Sequence, residues 1–320
     1  MGRKLLVSPI LALLACLAGA QDVGLLLGLG GKEGRSHTVW IGQQGVAVFA
    51  RRAGDGYWLW RDDGLWHVED EGQLRTLNQG IVSITDPKGS AIGLLDQYKK
   101  PLKTNFVKYV SNNAIGVATQ PNPNRTHIFG GTGDDPTGGT GYVCLNLSWS
   151  DLDRTMKVAQ AFDQHMAQLF KDSAIEAIQG EGIVYRHRVP AENWTLEHEQ
   201  GTWMLFGILY PENRGSDLDA GSFSVGEIND PGLGAHASRR PRWARIQTEY
   251  PDAIDFTTSP DGKLTVIVTP TDVFVHRSSG SSLGRRLRRV RVKSDRIVMT
   301  QWIEDKNVRK VAGEVAKIKS

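Results

Sequence analysis

Gly280-Ser281-Ser282-Leu283-Gly284 fits G-x-S-x-G, the spacing that lifts a serine nucleophile onto a sharp strand-to-helix turn. That chemistry needs a helix directly after the serine. Arg285-Arg286-Leu287-Arg288-Arg289-Val290 is a poor helix start, so the segment predicts a hairpin loop, with Ser282 a residual candidate nucleophile. His198-Glu199-Gln200-Gly201-Thr202 opens like a zinc-protease helix, but Thr202 stands where the second imidazole is required one turn later, which excludes that metal site. With Glu192 and Glu197, the pair His198 and Glu199 retains the composition of an acid–base or cation site, set on an expected solvated loop between strands. Asp217-Leu218-Asp219-Ala220-Gly221 lacks a third oxygen ligand and has Ile228 where a calcium loop places its bidentate glutamate. Asp134 and Asp135 lie in a glycine-rich loop, and the glycines around Gly28, Gly30, Gly31 and Lys32 do not complete a phosphate loop, because residue 26 is Leu and residue 33 is Glu. No metal, cofactor or catalytic residue is therefore expected, with Ser282, His198 and Glu199 as the residual catalytic candidates.

Features suited to binding carry more weight. Arg285, Arg286, Arg288, Arg289, Arg291 and Lys293 follow one another without an acid, and Arg239, Arg240, Arg242 and Arg245 form a second group. Such clusters predict a surface able to hold an anionic envelope polymer or an acidic protein, set against the simpler role of charges that keep an edge strand from pairing. Trp58 and Trp60 share a strand face in a segment that also contains Trp40 and Trp66, an arrangement that makes either a stacking platform or hairpin core.

The first twenty residues set the location. Arg3 and Lys4, an apolar run from Leu5 to Leu17 and the small residues Ala18-Gly19-Ala20 have the three-part layout of a secretory signal, with a core too short to span a bilayer. Leu13-Leu14-Ala15-Cys16 resembles a bacterial lipobox, whose cysteine carries acyl chains, so membrane tethering is the alternative to release. Export to a periplasm or the extracellular space is the expectation. Removing Arg3 and Lys4 leaves 36 basic against 35 acidic residues, so global attraction to polyanions, including nucleic acid, is not expected and any such binding must come from uneven charge. Cys144 would then stand as the only cysteine, which excludes an internal disulfide. Asn124, Asn146 and Asn193 head sequences of glycosylation type that matter only in a eukaryotic secretory host.

The positioning elements read as short β-type runs with turn dipeptides from His37 onward. Ser150 to about Gln179 is the exception: Leu152, Met156, Ala159, Phe162, Met166 and Leu169 form one stripe, predicting a long amphipathic helix over 150–179. The fold class is thus α+β, predominantly antiparallel β. The expected organisation is a signal at 1–20, a flexible segment at 21–36, a meander with a strand–helix–strand unit at 37–212, a junction at 213–243 and a β region at 244–320. Within that last region, Ser259-Pro260-Asp261-Gly262-Lys263 before Leu264, Val266, Val268, Val273 and Val275 resembles one blade of a β-propeller. The resemblance covers only that short segment and implies a propeller-like alternative for the fold. The functional expectation is an exported envelope protein that binds or scaffolds without catalysis, with an exported hydrolase as the alternative.

Overall fold

The computed structural model describes residues 23–31, 36–42, 45–49, 56–61, 64–70, 82–85, 87–88, 91–93, 103–112, 114–120, 141–146, 156–180, 187–189, 191, 193–211, 221–228, 240–304 and 306–319. The signal region with Cys16, and Glu192, Arg239 and the aspartates at 134, 135, 217 and 219, lie outside these residues.

Turn dipeptides between β-branched and aromatic runs give a chain of antiparallel hairpins. The first strands are β1 (Val23–Gly30), β2 (Ser36–Gly42), β3 (Gly45–Phe49), β4 (Gly56–Arg61), β5 (Gly64–Asp70), β6 (Val82–Thr85), β7 (Ala91–Gly93), β8 (Lys103–Val110), β9 (Ala114–Gln120) and β10 (Gly141–Asn146). Helices α1 (Val158–Ala161) and α2 (Gln164–Gly180) precede β11 (His187–Arg188), β12 (Trp194–Glu199), β13 (Thr202–Pro211) and β14 (Gly221–Ile228). Helix α3 (Trp243–Glu249) leads into β15 (Asp255–Thr258), β16 (Leu264–Val268), β17 (Asp272–Ser279) and β18 (Ser282–Arg291), followed by β19 (Arg296–Glu304) and α4 (Lys306–Lys319).

The sheets follow the chain in order: β19-β1-β2-β3, β4-β5-β6-β7, β8-β9-β10, β12-β13-β14 with β11 also on β13, and β15-β16-β17-β18. Every described pairing is antiparallel, and only β19 with β1 and β11 with β13 join strands that are not sequence neighbours. None of the described sheets closes into a barrel. β19 touches β4, β8, β12 and β15, so the last strand lies where the other sheets meet.

The expectation of a flexible 21–36 is corrected by β1, whose eight residues are all buried. Leu25, Leu27 and Leu29 pack with Val266, Val268 and Val273, while Leu26 joins Trp40, Leu59 and Val298 on the opposite face. A strand covered on both faces reads as an unbroken apolar run rather than an alternating one. Glycines are needed there because neighbours come close: a Cβ on Gly24 would lie 2.2 Å from the Trp40 ring.

The single helix over 150–179 is also corrected. Met156 and Lys157 precede a one-turn α1, and Phe162-Asp163 breaks the chain before α2, where the Asp163 carboxylate accepts the Met166 N–H at 2.7 Å. That side chain caps a new helix instead of continuing the old one. Two stretches of the expected β region at 244–320 are instead helical, most of α3 (Trp243–Glu249) and all of α4 (Lys306–Lys319). Val308, Val311 and Val315 recur at helical spacing and bury against the core of Leu26, Trp66 and Val298, and Trp243, Ile246 and Tyr250 do the same over Phe256 and Phe274.

The Ser259–Lys263 turn joins β15 to β16. Ser259 Oγ donates to Asp261 Oδ1 at 2.7 Å, that carboxylate accepts the Lys263 N–H, and Ser259 Oγ accepts the Leu264 N–H. Gly262 sits at φ +71°, which explains the glycine in the motif.

Candidate functional site

The hairpin of β12 and β13 turns at Gln200 (φ +50°) and Gly201 (φ +84°), a two-residue turn with positive φ at both positions. Gly201 is required twice, since a side chain there would also strike the Phe256 ring at 2.4 Å. The turn fixes what each face of β12 presents. His198, expected on a loop beside Glu197 and Glu199, instead sits on the strand and points to the opposite face from both, because successive strand side chains alternate.

On that inner face, the His198 and Asp255 side chains are almost wholly buried, with Nδ1 and Oδ2 2.6 Å apart. Asp255 Oδ1 also accepts the Gly201 N–H at 2.9 Å and the Phe256 N–H at 2.8 Å. The imidazole meets the Trp203 ring edge-on at 4.8 Å, and Trp203 Nε1 donates to Thr300 Oγ1 at 3.1 Å. These bonds tie β12, β13, β15 and β19 together. His198 is thereby a bridge between sheets and is separated from Glu199 by the strand itself.

The outer face is polar. Register places Glu199 opposite Thr202, and Met204 between Glu197 and Glu227, so these five side chains share one surface. Glu197 pairs with Lys108 at 2.7 Å, and Glu227 Oε2 accepts from Arg240 at 2.9 Å while Arg240 also reaches the Gly201 carbonyl. Glu199 forms no ion pair among the described residues; partial burial, then the Glu197 and Asp255 carboxylates, push its pKa above the usual range against a weaker opposing pull from Lys108 and His198. A cleft of about 650 Å³ opens here, lined by Glu199, Thr202, Met204, Glu227, Arg240 and Trp243. Among the described residues, Thr202 Oγ1 and Glu227 Oε1 are buried without a hydrogen-bond partner. Sequence reasoning singled out Glu199 but missed Thr202, Glu227 and Trp243, since the β12–β13 and β13–β14 registers and the placement of α3 bring them together.

Ser282 opens β18 opposite Ser279, so the chain runs strand, tight turn, strand, with Gly280 at φ +57°. A nucleophile elbow is absent at this position. His276 is also committed: its Nδ1 faces the Gly284 carbonyl at 2.9 Å, which only accepts, so Nδ1 carries the proton and Nε2 accepts from the Tyr250 hydroxyl at 2.7 Å.

β18 is the outer strand of its sheet. Arg285, Arg286, Arg288, Arg289, Arg291 and Lys293 are all exposed. Among the described residues Arg289 alone of this run forms an ion pair: its Nε and a terminal nitrogen clasp buried Asp272 at 2.7 and 2.9 Å, and this grip, with the nearby Arg291 charge, holds the Asp272 carboxyl below its usual range. Arg286 and Arg289 lie over the Phe274 ring at 5.7 and 5.6 Å. Arg285, Arg288, Arg291 and Lys293 hold no ion pair among the described residues.

Trp58 and Trp60 share a half-buried face of β4, with Tyr57 and Leu59 buried on the other. Trp58 stacks on His67 at 4.4 Å, and the Gln301 side chain accepts the Trp60 N–H and donates to its carbonyl. Both rings rest against the core containing Leu59 and Trp66. Asn193 is buried at 4% exposure, which removes it as an acceptor for a glycan in the folded chain.

No family model matches this chain and no curated protein matches it. Among solved structures, one provisionally described as a 6-phosphogluconolactonase from Bacteroides fragilis aligns over 84% of this chain and 67% of its own length, at 9% identity and a TM-score of 0.22.

Proposed function

We propose that this is an exported cell-envelope protein that binds without catalysis, holding an anionic polymer or an acidic protein segment along β18. The observation that carries the reading is an excess of positive charge: Arg285, Arg288, Arg291 and Lys293 are exposed and hold no ion pair among the described residues, and the one carboxylate clasped by this edge strand, Asp272, is gripped by Arg289 and also faces Arg291. In a chain whose net charge beyond residue 20 is +1, this is a local excess rather than a general property. Edge protection alone explains one or two lysines and explains less well a run of guanidiniums, whose forked donors suit carboxylate and phosphate oxygens. Export is supported by the layout of residues 1–20, with cleavage expected after Ala20.

For the architecture, we propose a propeller-like ring of sheets closed by β19. It is supported by the sheets following the chain in order, the pairing of β19 with β1, and the contacts of β19 with β4, β8, β12 and β15.

Retention of the mature protein on heparin and on immobilised lipopolysaccharide tests the binding role. Elution should require added salt, and a triple Arg285→Gln, Arg288→Gln, Arg291→Gln variant should elute far earlier. Arg289 is left in place because its loss would strand the Asp272 carboxylate. Retention that ignores salt or survives the triple variant contradicts the proposal. Labelling with radioactive palmitate that disappears in Cys16→Ser separates lipid tethering from release.

A further inference from the structure

The β18 edge offers donors; the cleft on the outer face of β12–β13–β14 offers acceptors, and this opposite chemistry goes beyond the role proposed for the edge. The acceptors are the Glu199 carboxylate, Glu227 Oε1 and Thr202 Oγ1. Thr202 is only 7% exposed and Glu227 Oε1 is shielded from water, and neither atom has a hydrogen-bond partner among the described residues. A buried oxygen left unpaired is costly to the fold, so a face that leaves two of them in a cleft is incomplete without a donor from outside.

The local charges say what kind of donor. Glu197 has Lys108, Glu227 has Arg240 on its other oxygen, and Asp255 behind the sheet has His198 and two N–H groups. Glu199 stands beside these carboxylates without an ion pair among the described residues, and partial burial first, then the Glu197 and Asp255 charges, raise its pKa against the weaker opposing pull of Lys108 and His198. Trp243 and Met204 add an aromatic and a thioether flank, and Trp243 is held in place by stacking on Phe256 at 6.1 Å and 8°. Arg242, exposed at the rim, is the opposing cation and limits how far positive charge can extend beyond the floor.

We propose that this cleft is a binding site for an ammonium group, whose N–H donors reach Glu199, Glu227 Oε1 and Thr202 Oγ1 while its carbon substituent lies against Met204 and Trp243. The same chemistry is offered by a free alkylamine and by a lysine side chain in a peptide.

Isothermal titration of the mature chain with n-butylammonium, with an N-acetylated lysine peptide, and with 1-butanol and glucose as neutral donors tests the site. The ammonium probes should bind and the neutral ones should not; the stronger of the two ammonium probes identifies the source. Glu199→Gln should weaken the ammonium probe roughly tenfold, the loss of one charge-assisted hydrogen bond, without lowering the melting temperature, since Glu199 is exposed. Thr202→Val should weaken binding and raise the melting temperature, because a methyl replaces an unpaired hydroxyl. Equal binding of 1-butanol or glucose, absence of binding by both ammonium probes, or full affinity in Glu199→Gln each overturns the proposal.

Discussion

The two faces of β12 treat polar atoms in opposite ways. On the inner face, Asp255 is deeply buried and fully engaged by His198, Gly201 and Phe256. On the outer face, Thr202 and Glu227 keep buried oxygens unpaired and Glu199 forms no ion pair among the described residues. The lesson is that burial alone does not mark a functional residue. His198 looks more like an active-site group than Thr202 does, yet its bonds all serve the junction of sheets, whereas the unmet demand lies with Thr202 and its neighbours.

The sharpest way to break this contrast is Asp255→Ala. It leaves His198 and two N–H groups without their acceptor, and chemical denaturation should show a loss of about 3–5 kcal/mol. A loss under 1 kcal/mol would mean the inner network is not the clamp described.

His67 offers a third case, an imidazole with Nε2 buried and unpartnered among the described residues and its pKa held down at about 4 by burial. Its folded pKa lies below the unfolded value, so between those two values the unfolded chain binds more protons and stability falls as the medium acidifies. From pH 7 to pH 4 this contributes a loss on the order of 3 kcal/mol, part of which His67→Leu should abolish in a pH series of melting curves. An unchanged pH slope in that variant removes the point.

Thr202→Val should gain about 1 kcal/mol by deleting an unpaired buried oxygen, which the same denaturation series can resolve. Glu199→Gln should give the smallest change and a definite sign. Because the folded pKa is raised, the folded chain binds more protons just above the usual glutamate range, and stability falls as pH rises through that window. The glutamine variant should lack that fall, visible as a flatter melting profile between mildly acidic and neutral pH.

Much of the sheet was legible in the sequence. Glycine and aspartate turns bracket β4, β5, β16 and β17 closely, and Ser259–Lys263 forms the turn from β15 into β16. What escaped obeyed other rules. β1 is buried on both faces and shows no alternation, while α3 and α4 present so few apolar residues that a short window reads them as strands. The break between α1 and α2 depends on one side chain, Asp163, turning to cap Met166. At the candidate site, Glu199 was visible as a residue type, but its partners come from two further strands and a helix, and their meeting depends on a register shift between Leu205 and Phe206 that no local pattern encodes. The arginine run was visible in full; the distinction between Arg289, clasped by Asp272, and the neighbours that form no ion pair among the described residues was not.

The central claim is that the uncompensated guanidiniums of β18 bind an anionic partner. Salt-gradient elution of the mature protein from heparin, wild type beside the Arg285→Gln, Arg288→Gln, Arg291→Gln variant of unchanged melting temperature, tests it directly. The account predicts salt-dependent retention that the variant loses; identical elution of the two proteins contradicts it.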